Sequence, residues 1–304
     1  VLFIFSTVFY YLFEKDINFE SLVSKIKQNG FYRTNLIIDE DFENSLNYIS
    51  SQNYLLNENK LQGKFADHQF FFLDLLCYSK SFFNFLCSKE VKHIFDSFFN
   101  NQKCRLKALR YYETFRGHKM PWHTDNKNTI EGLTDDKGLI FIIYCEDIFD
   151  GEFQYVEASN LKSSNLKENY FSDEYVESNY KEKIRSFPGN KGTLVICDSR
   201  GIHRAKPLLN KKVRKSIFFQ VDQEIKNSEP IYLNPAIFPK KLITNEWYQT
   251  FFGFEQDSKY ELYPKTSIKN IPINLMLKFL LNYFILKIRS WIYGKARYVL
   301  SLFK

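Results

Sequence analysis

The chain has 304 residues, 44% of them hydrophobic and 25% charged, with 42 Lys and Arg against 35 Asp and Glu for a net charge of +7. That composition excludes a disordered or fibrous protein and allows one large domain, or one domain with appendages, around a substantial core. The charge is uneven: residues 262–304 hold six Lys and two Arg with no acid, a charge of +8, which leaves residues 1–261 at −1.

Residues 1–13 carry no charge. They fall short of the roughly 20 apolar residues that cross a bilayer, and no basic region frames them as a signal peptide. A buried or interfacial helix is expected there, with a truncated leader as the alternative. Asn18 is placed to cap a helix whose apolar positions Leu22, Val23 and Ile26 share one face and which Gly30 stops. Phe31 to Ile38 then reads as a strand, with a second helix from about Asp41. From Gln69 to Asn100 the helical apolar spacing predicts two packed helices.

From Cys104 the period changes. Runs of strand type occur at Leu106–Phe115, Gly138–Cys145, Gly151–Val156, Gly192–Cys197 and Val213–Val221, which predicts a β-sandwich or barrel and not a parallel α/β sheet. The polar stretch between Asn160 and Pro188 reads as a disordered connection or a functional lid. The expected organisation is an apolar segment over residues 1–16, the main domain over 17–222, and an extension over 223–304.

Thirty-two Phe and 20 Tyr match the joint enrichment of Phe, Tyr, Ile, Asn and Lys that an AT-rich coding sequence produces. No nucleic-acid module is present, so no nucleic acid is expected as a partner. Five cysteines with no C-x-x-C pair argue against a disulfide framework or zinc ribbon and for a reducing, cytoplasmic compartment.

The chemistry concentrates in three places. Pro121-Trp-His123-Thr-Asp125 contains an H-x-D triplet, whose first and third side chains point the same way on an extended segment. His203 follows 78 residues after Asp125, at the end of a strand and Gly turn, Gly192-Thr-Leu-Val-Ile-Cys-Asp-Ser-Arg-Gly-Ile-His203. Eleven residues on, Arg214 and Ser216 share a face of the next strand, with Lys215 pointing away. Two imidazoles and a carboxylate suit a facial non-haem Fe(II) site with open positions for the 2-oxo acid end of 2-oxoglutarate and for O2. A buried Arg with a neighbouring Ser hydroxyl suits the far carboxylate of that cosubstrate.

In this order of motifs the sequence resembles the Fe(II)/2-oxoglutarate-dependent oxygenases, and among them the phytanoyl-CoA dioxygenase family, from about Asn18 to Asp222. The resemblance includes Asn29-Gly30-Phe31 and Gly151-Glu-Phe-Gln-Tyr-Val156. It implies a mainly β fold with flanking helices, a double-stranded β-helix of the jelly-roll or cupin-like kind. It implies His123, Asp125 and His203 as iron ligands, Arg214 and Ser216 as the 2-oxoglutarate anchor, and hydroxylation of a small or lipid-like molecule with release of succinate and CO2. Because Asp125 supplies a carboxylate where related halogenases leave room for a halide, hydroxylation is expected over halogenation. The chain departs from the family at Glu157-Ala158-Ser159-Asn160, where relatives commonly show Pro-Gly-Ser-His, so an acyl-CoA substrate does not follow.

Tyr112, Tyr144 and Gln154 are expected to line the barrel and to be available for 2-oxoglutarate or substrate. Arg200 and Arg204, flanking His203, suit either an anionic substrate group or solvent-facing positions. Lys212 is the alternative anion anchor, as in the prolyl hydroxylase branch. His68, His93 and His118 have no partner pattern. Two alternatives stand beside the small-molecule oxygenase: a prolyl-hydroxylase-like enzyme acting on protein, and a noncatalytic β-barrel binding protein. The basic, apolar segment 274–304 reads as an imperfect amphipathic helix, suited either to an anionic membrane at the inner surface or to docking on the domain.

Overall fold

The computed structural model describes Phe13 and residues 17–51, 54–57, 60–63, 69–72, 75–116, 120–125, 128–129, 132–133, 137–166, 168–211, 213–223 and 245–253, with separate positions between 273 and 292. His68, His118 and Lys212 lie outside the described residues, as does residue 1–13 apart from Phe13.

The N-terminal third opens with α1 (Phe19–Asn29), β1 (Phe31–Asn35) and α2 (Glu40–Ser51), followed by β2 (Tyr54–Asn57), β3 (Lys60–Gly63) and β4 (Gln69–Phe72), then α3 (Leu75–Tyr78), α4 (Lys80–Leu86) and α5 (Lys89–Phe98). The Asn18 side chain accepts from the Ser21 amide and caps α1, and Gly30 ends it in the left-handed conformation at φ 92°. A Cβ on Gly30 would also lie 2.4 Å from the Tyr155 ring, so this turn requires glycine for space as well as for torsion. The two-helix reading of Gln69–Asn100 is corrected: Gln69–Phe72 pairs with the next long strand, and three helices follow. Strand and helical spacing cannot be distinguished over a four-residue run with three apolar positions; the open sheet edge decides between them.

The second part contains β5 (Arg105–Phe115), β6 (Trp122–His123), β7 (Asn128–Thr129), β8 (Gly132–Leu133), β9 (Gly138–Tyr144) and β10 (Ile148–Val156). After a 3-10 turn at Ser159–Asn165 come β11 (Tyr170–Phe171), α6 (Asp173–Tyr180), β12 (Ile184–Gly189), β13 (Thr193–Asp198), β14 (His203–Ala205), β15 (Val213–Asp222) and α7 (Glu246–Phe252). A six-stranded sheet runs β1-β13-β9-β15-β5-β4, and a five-stranded sheet runs β11-β6-β14-β10-β12. All recorded pairings in both are antiparallel. The fold is a double-stranded β-helix with flanking helices.

β9 is buried along its whole length, which explains its unbroken apolar run, since it serves two cores. Leu139, Phe141 and Ile143 face the helices together with Ile26, Phe82, Phe95 and Phe219. Ile140, Ile142 and Tyr144 face inward, against Phe153, Tyr155 and Val195. Phe251 of α7 stacks on Phe95 at 5.3 Å, so residues beyond Asp222 contribute to the helical core.

The polar stretch 160–188 is not a disordered connection. It folds as the 3-10 turn, β11, α6 and β12, and buries Leu166 and Val176 against Trp122, Val156 and Ile202. A large side chain buried in this way contributes about 2 kcal/mol, and the few apolar residues in the stretch are the ones that do so.

Candidate metal centre and anion anchor

The short strands β6 and β14 meet at one registered pair, His123 opposite His203. Residues directly opposite in a sheet share a face, so both imidazoles enter the same space, with ring centroids 4.3 Å apart. Asp125 lies just beyond β6, where its amide donates to the Ser199 carbonyl at 2.9 Å. Its carboxylate lies 3.6 Å from His123 Nε2 and 4.0 Å from His203 Nε2. One donor atom from each of the three lies within 4.8 Å of the others, as ligands of a single ion require.

Both histidines have a fixed tautomer. His123 Nδ1 is 2.9 Å from the Pro121 carbonyl and His203 Nδ1 is 2.9 Å from the Gly201 carbonyl. A carbonyl only accepts, so each Nδ1 carries the proton and each Nε2 presents a lone pair to the cluster, the usual support of a metal-bound histidine. Burial, with His123 beside it, lowers the His203 pKa to about 4, and the Asp125 charge opposes that shift in part. The imidazole is neutral at pH 7, as a ligand must be. The donor set and its backbone supports fit an Fe(II) ion.

The cavity beside this cluster, about 470 Å³, is lined by all three residues and by Tyr112, Thr114, Tyr144, Arg214 and Ser216, among others. Arg214, Thr114, Ser216, Tyr112 and Tyr144 occupy adjoining inward positions: Arg214 opposes Thr114, while Ser216 opposes Tyr112 on one side and Tyr144 on the other. Arg214 is buried, and desolvation lowers its pKa from the usual arginine value, with nearby acids and Tyr144 opposing the shift. Its guanidinium donates to the carbonyls of Gly151 and Lys206 and to Thr114 Oγ1 at 3.2 Å. These partners are neutral, and no described carboxylate forms an ion pair with it. A buried cation without an anion is costly, and this one lines a cavity.

The remaining sequence candidates divide. The Tyr144 hydroxyl is already used, donating to the Phe187 carbonyl at 2.7 Å and accepting from the Phe153 amide at 3.0 Å, so Tyr144 offers the cavity its ring. Tyr112 Oη accepts from Arg110 at 2.8 Å. Gln154 does not line the cavity; it lies on the other face of β10, bonded to Ser186 and Arg204. Arg200 grips Asp198 through Nε and a terminal nitrogen at 2.9 and 2.7 Å. Arg204 lies 4.2 Å above the Trp122 ring and pairs with Asp173. Both arginines are thus structural ties: neither lines the cavity, and Arg204 stands between the inward His203 and Ala205 and so points away from it. His93 sits on the surface, 3.0 Å from Glu20.

Sequence reasoning missed Thr114, Arg110, Lys107, Phe153, Phe218 and Tyr170, all of which line the cavity. The two-residue period of β5 from Tyr112 leads to Thr114 and Arg110, and that of β15 from Ser216 leads to Phe218. Tyr170 had no such signal. It reaches the site because β11 pairs with β6, placing it opposite His123.

No family model matches the chain, and no curated protein does. Solved structures do. EvdO2 from Micromonospora carbonacea var. aurantiaca aligns with a TM-score of 0.50 at 12% identity over 72% of this chain and 96% of its own. The chain shares that protein's fold. Also similar are AviO1 from Streptomyces viridochromogenes Tue57, with a TM-score of 0.48 at 16% identity over 72% of this chain and 100% of its own, and HygX from Streptomyces hygroscopicus, solved with nickel and 2-oxoglutarate bound, with 0.48 at 12% over 70% and 90%.

Proposed function

We propose that the protein is an Fe(II)- and 2-oxoglutarate-dependent dioxygenase that hydroxylates an unactivated carbon of a small molecule. The observation that carries this reading is the pairing, in one cavity, of a His-Asp-His cluster with a buried arginine that has no acidic partner among the described residues. His123, Asp125 and His203 hold the iron. Arg214 receives the far carboxylate of 2-oxoglutarate, with Thr114 and Ser216 beside it. An iron ion held there would supply the chemistry by which O2 couples decarboxylation of 2-oxoglutarate to succinate and CO2 with transfer of one oxygen atom into a substrate C–H bond. Ile142, Phe153 and Phe218 line the same space and exclude water from it, which strengthens the anchor's electrostatics.

Anaerobic addition of Fe(II) and 2-oxoglutarate is expected to give the weak visible charge-transfer band of the chelate, and in air succinate is released. A His123→Ala variant loses both. Absence of the band from the intact protein overturns the assignment.

We also infer that the C-terminal segment lies on an anionic membrane surface. Ile273, Leu277, Leu281, Phe284, Ile288 and Ile292 are helical and 52–80% exposed. At 100° per residue they fall within an arc of about 100°. An exposed apolar face on the segment 274–304, which has six basic residues and no acid, suits shallow insertion among anionic headgroups, and no described helix is long and apolar enough to cross a membrane. The full chain is expected to cosediment with phosphatidylserine-containing vesicles in a salt-sensitive way, and the L281D/I288D double variant is not. Equal binding by both proteins, or none by the intact one, rules this placement out.

A further inference from the structure

The cavity has a second polar end that the iron and its cosubstrate do not use. Along the junction of β5 and β15 the register passes from Gln220 opposite Ala108 to Val221 opposite Leu106, which leaves Lys107 as the extra residue of a β-bulge. A bulge re-aims a side chain, and here Lys107 lines the cavity together with Gln220. Lys107 Nζ lies 2.9 Å from Asp222 Oδ2, and Gln220 Nε2 donates to Asp222 Oδ1 at 3.0 Å. Asp222 is 5% exposed. Its approach depends on Gly138, since a Cβ there would lie 2.4 Å from both Asp222 Oδ1 and Ser199 Oγ.

This group lies on the metal side of the cavity: Gly138 abuts both Asp222 and Ser199, and the Ser199 carbonyl accepts from the amide of Asp125. Burial raises the Asp222 pKa and Lys107 opposes that rise, while the Asp125 charge is close enough to add to it. Six residues of β15, roughly 20 Å of strand, separate Gln220 from Arg214, more than one five-carbon diacid can span. A buried ion pair is weak support for stability, so its position on a cavity wall beside the metal ligands points to recognition.

We infer that Lys107 and Gln220, held from behind by Asp222, form the substrate subsite and select an uncharged, polyhydroxylated molecule. This rests on the oxygenase reading and narrows its substrate. The pair is formally neutral. On the cavity wall it offers ammonium donors beyond the one given to Asp222 and an acceptor in the Gln220 amide oxygen, which together match a group that both donates and accepts, a hydroxyl. A hydrocarbon chain would strip water from those donors without replacing it. An anion would meet the negative charges of Asp222 and Asp125 across the same space.

Isothermal titration of the full-length protein, with and without Ni(II) and 2-oxoglutarate, uses myo-inositol and methyl glucoside as polyol probes, and hexanoate and octanol as anionic and apolar ones. The polyols are expected to bind. Lys107→Met weakens them at least tenfold while 2-oxoglutarate affinity stays at the wild-type value. The K107M/D222N double variant removes both charges of the pair, guards against misfolding around an unpaired Asp222, and shows the same loss. Preference for hexanoate or octanol, polyol binding that both variants retain, or no polyol binding overturns the subsite. Polyol binding by a protein that fails to bind 2-oxoglutarate keeps the subsite and sinks the oxygenase reading instead.

Discussion

The two sheets place their functional groups by different means. The anion anchor stands on β15, a ten-residue strand paired along its length with β5 and over seven residues with β9. The metal ligands stand on or beside β6 and β14, of two and three residues, which share a single registered pair. Long backbone ladders thus fix Arg214, whereas His123 and His203 stand on ladders of only two and three residues and are supported further by side chains behind them. Trp122 and Arg204, each adjacent in sequence to one of the histidines, pack on one another, and Asp173 and Gln154 hold Arg204 in place. A long ladder can position a residue unaided; a two-residue strand requires a clamp.

The largest expected effect breaks the anchor side. Arg214→Ala removes charge-assisted hydrogen bonds of about 2–3 kcal/mol, so 2-oxoglutarate binding should weaken on the order of 100-fold while Co(II) affinity, read from its visible spectrum, stays near wild type. Iron-site loss as the dominant effect would mean that the cosubstrate is misplaced. On the metal side, Arg204→Ala should reduce Co(II) affinity about tenfold, the range found for outer-shell supports, and broaden the ligand-field spectrum, with partial recovery in Arg204→Lys. A fall in melting temperature with unchanged metal affinity would make the clamp structural only.

The smallest effect concerns protons. His203 titrates near pH 4 in the folded, metal-free protein and near its ordinary value of 6.5 when unfolded. Between those values the unfolded chain binds the extra proton, so stability falls as pH is lowered through that window. Thermal melts of metal-free protein should show that fall, and His203→Asn should make it shallower. Identical slopes would place the acid sensitivity elsewhere.

How far each part was legible follows the same division. Asn18 and Gly30 marked the limits of α1, because caps are local, and the five long strands announced themselves through period and turns. The triplet at His123–Asp125 and the pair Arg214 and Ser216 could be read as cofacial sets because two-residue spacing fixes a strand's faces. Gln154 and Arg204 could not be assigned for the same reason in reverse: which face of β10 and β14 points inward is set by the partner sheet. Of the two readings of 160–188, the disordered one failed because few apolar residues were enough to fold the stretch once Trp122, Val156 and Ile202 were in place to receive them.

The sequence by itself determined the donor chemistry, the order of the motifs, and a charge of +8 confined to residues 262–304, since residue type and near spacing are properties of the chain. Tertiary structure alone decided that Arg214 is a buried cation without an acidic partner among the described residues, that Tyr170 meets His123, and that a bulge turns Lys107 toward Asp222. Each of these joins residues far apart in the chain, and only burial and sheet register assign them neighbours.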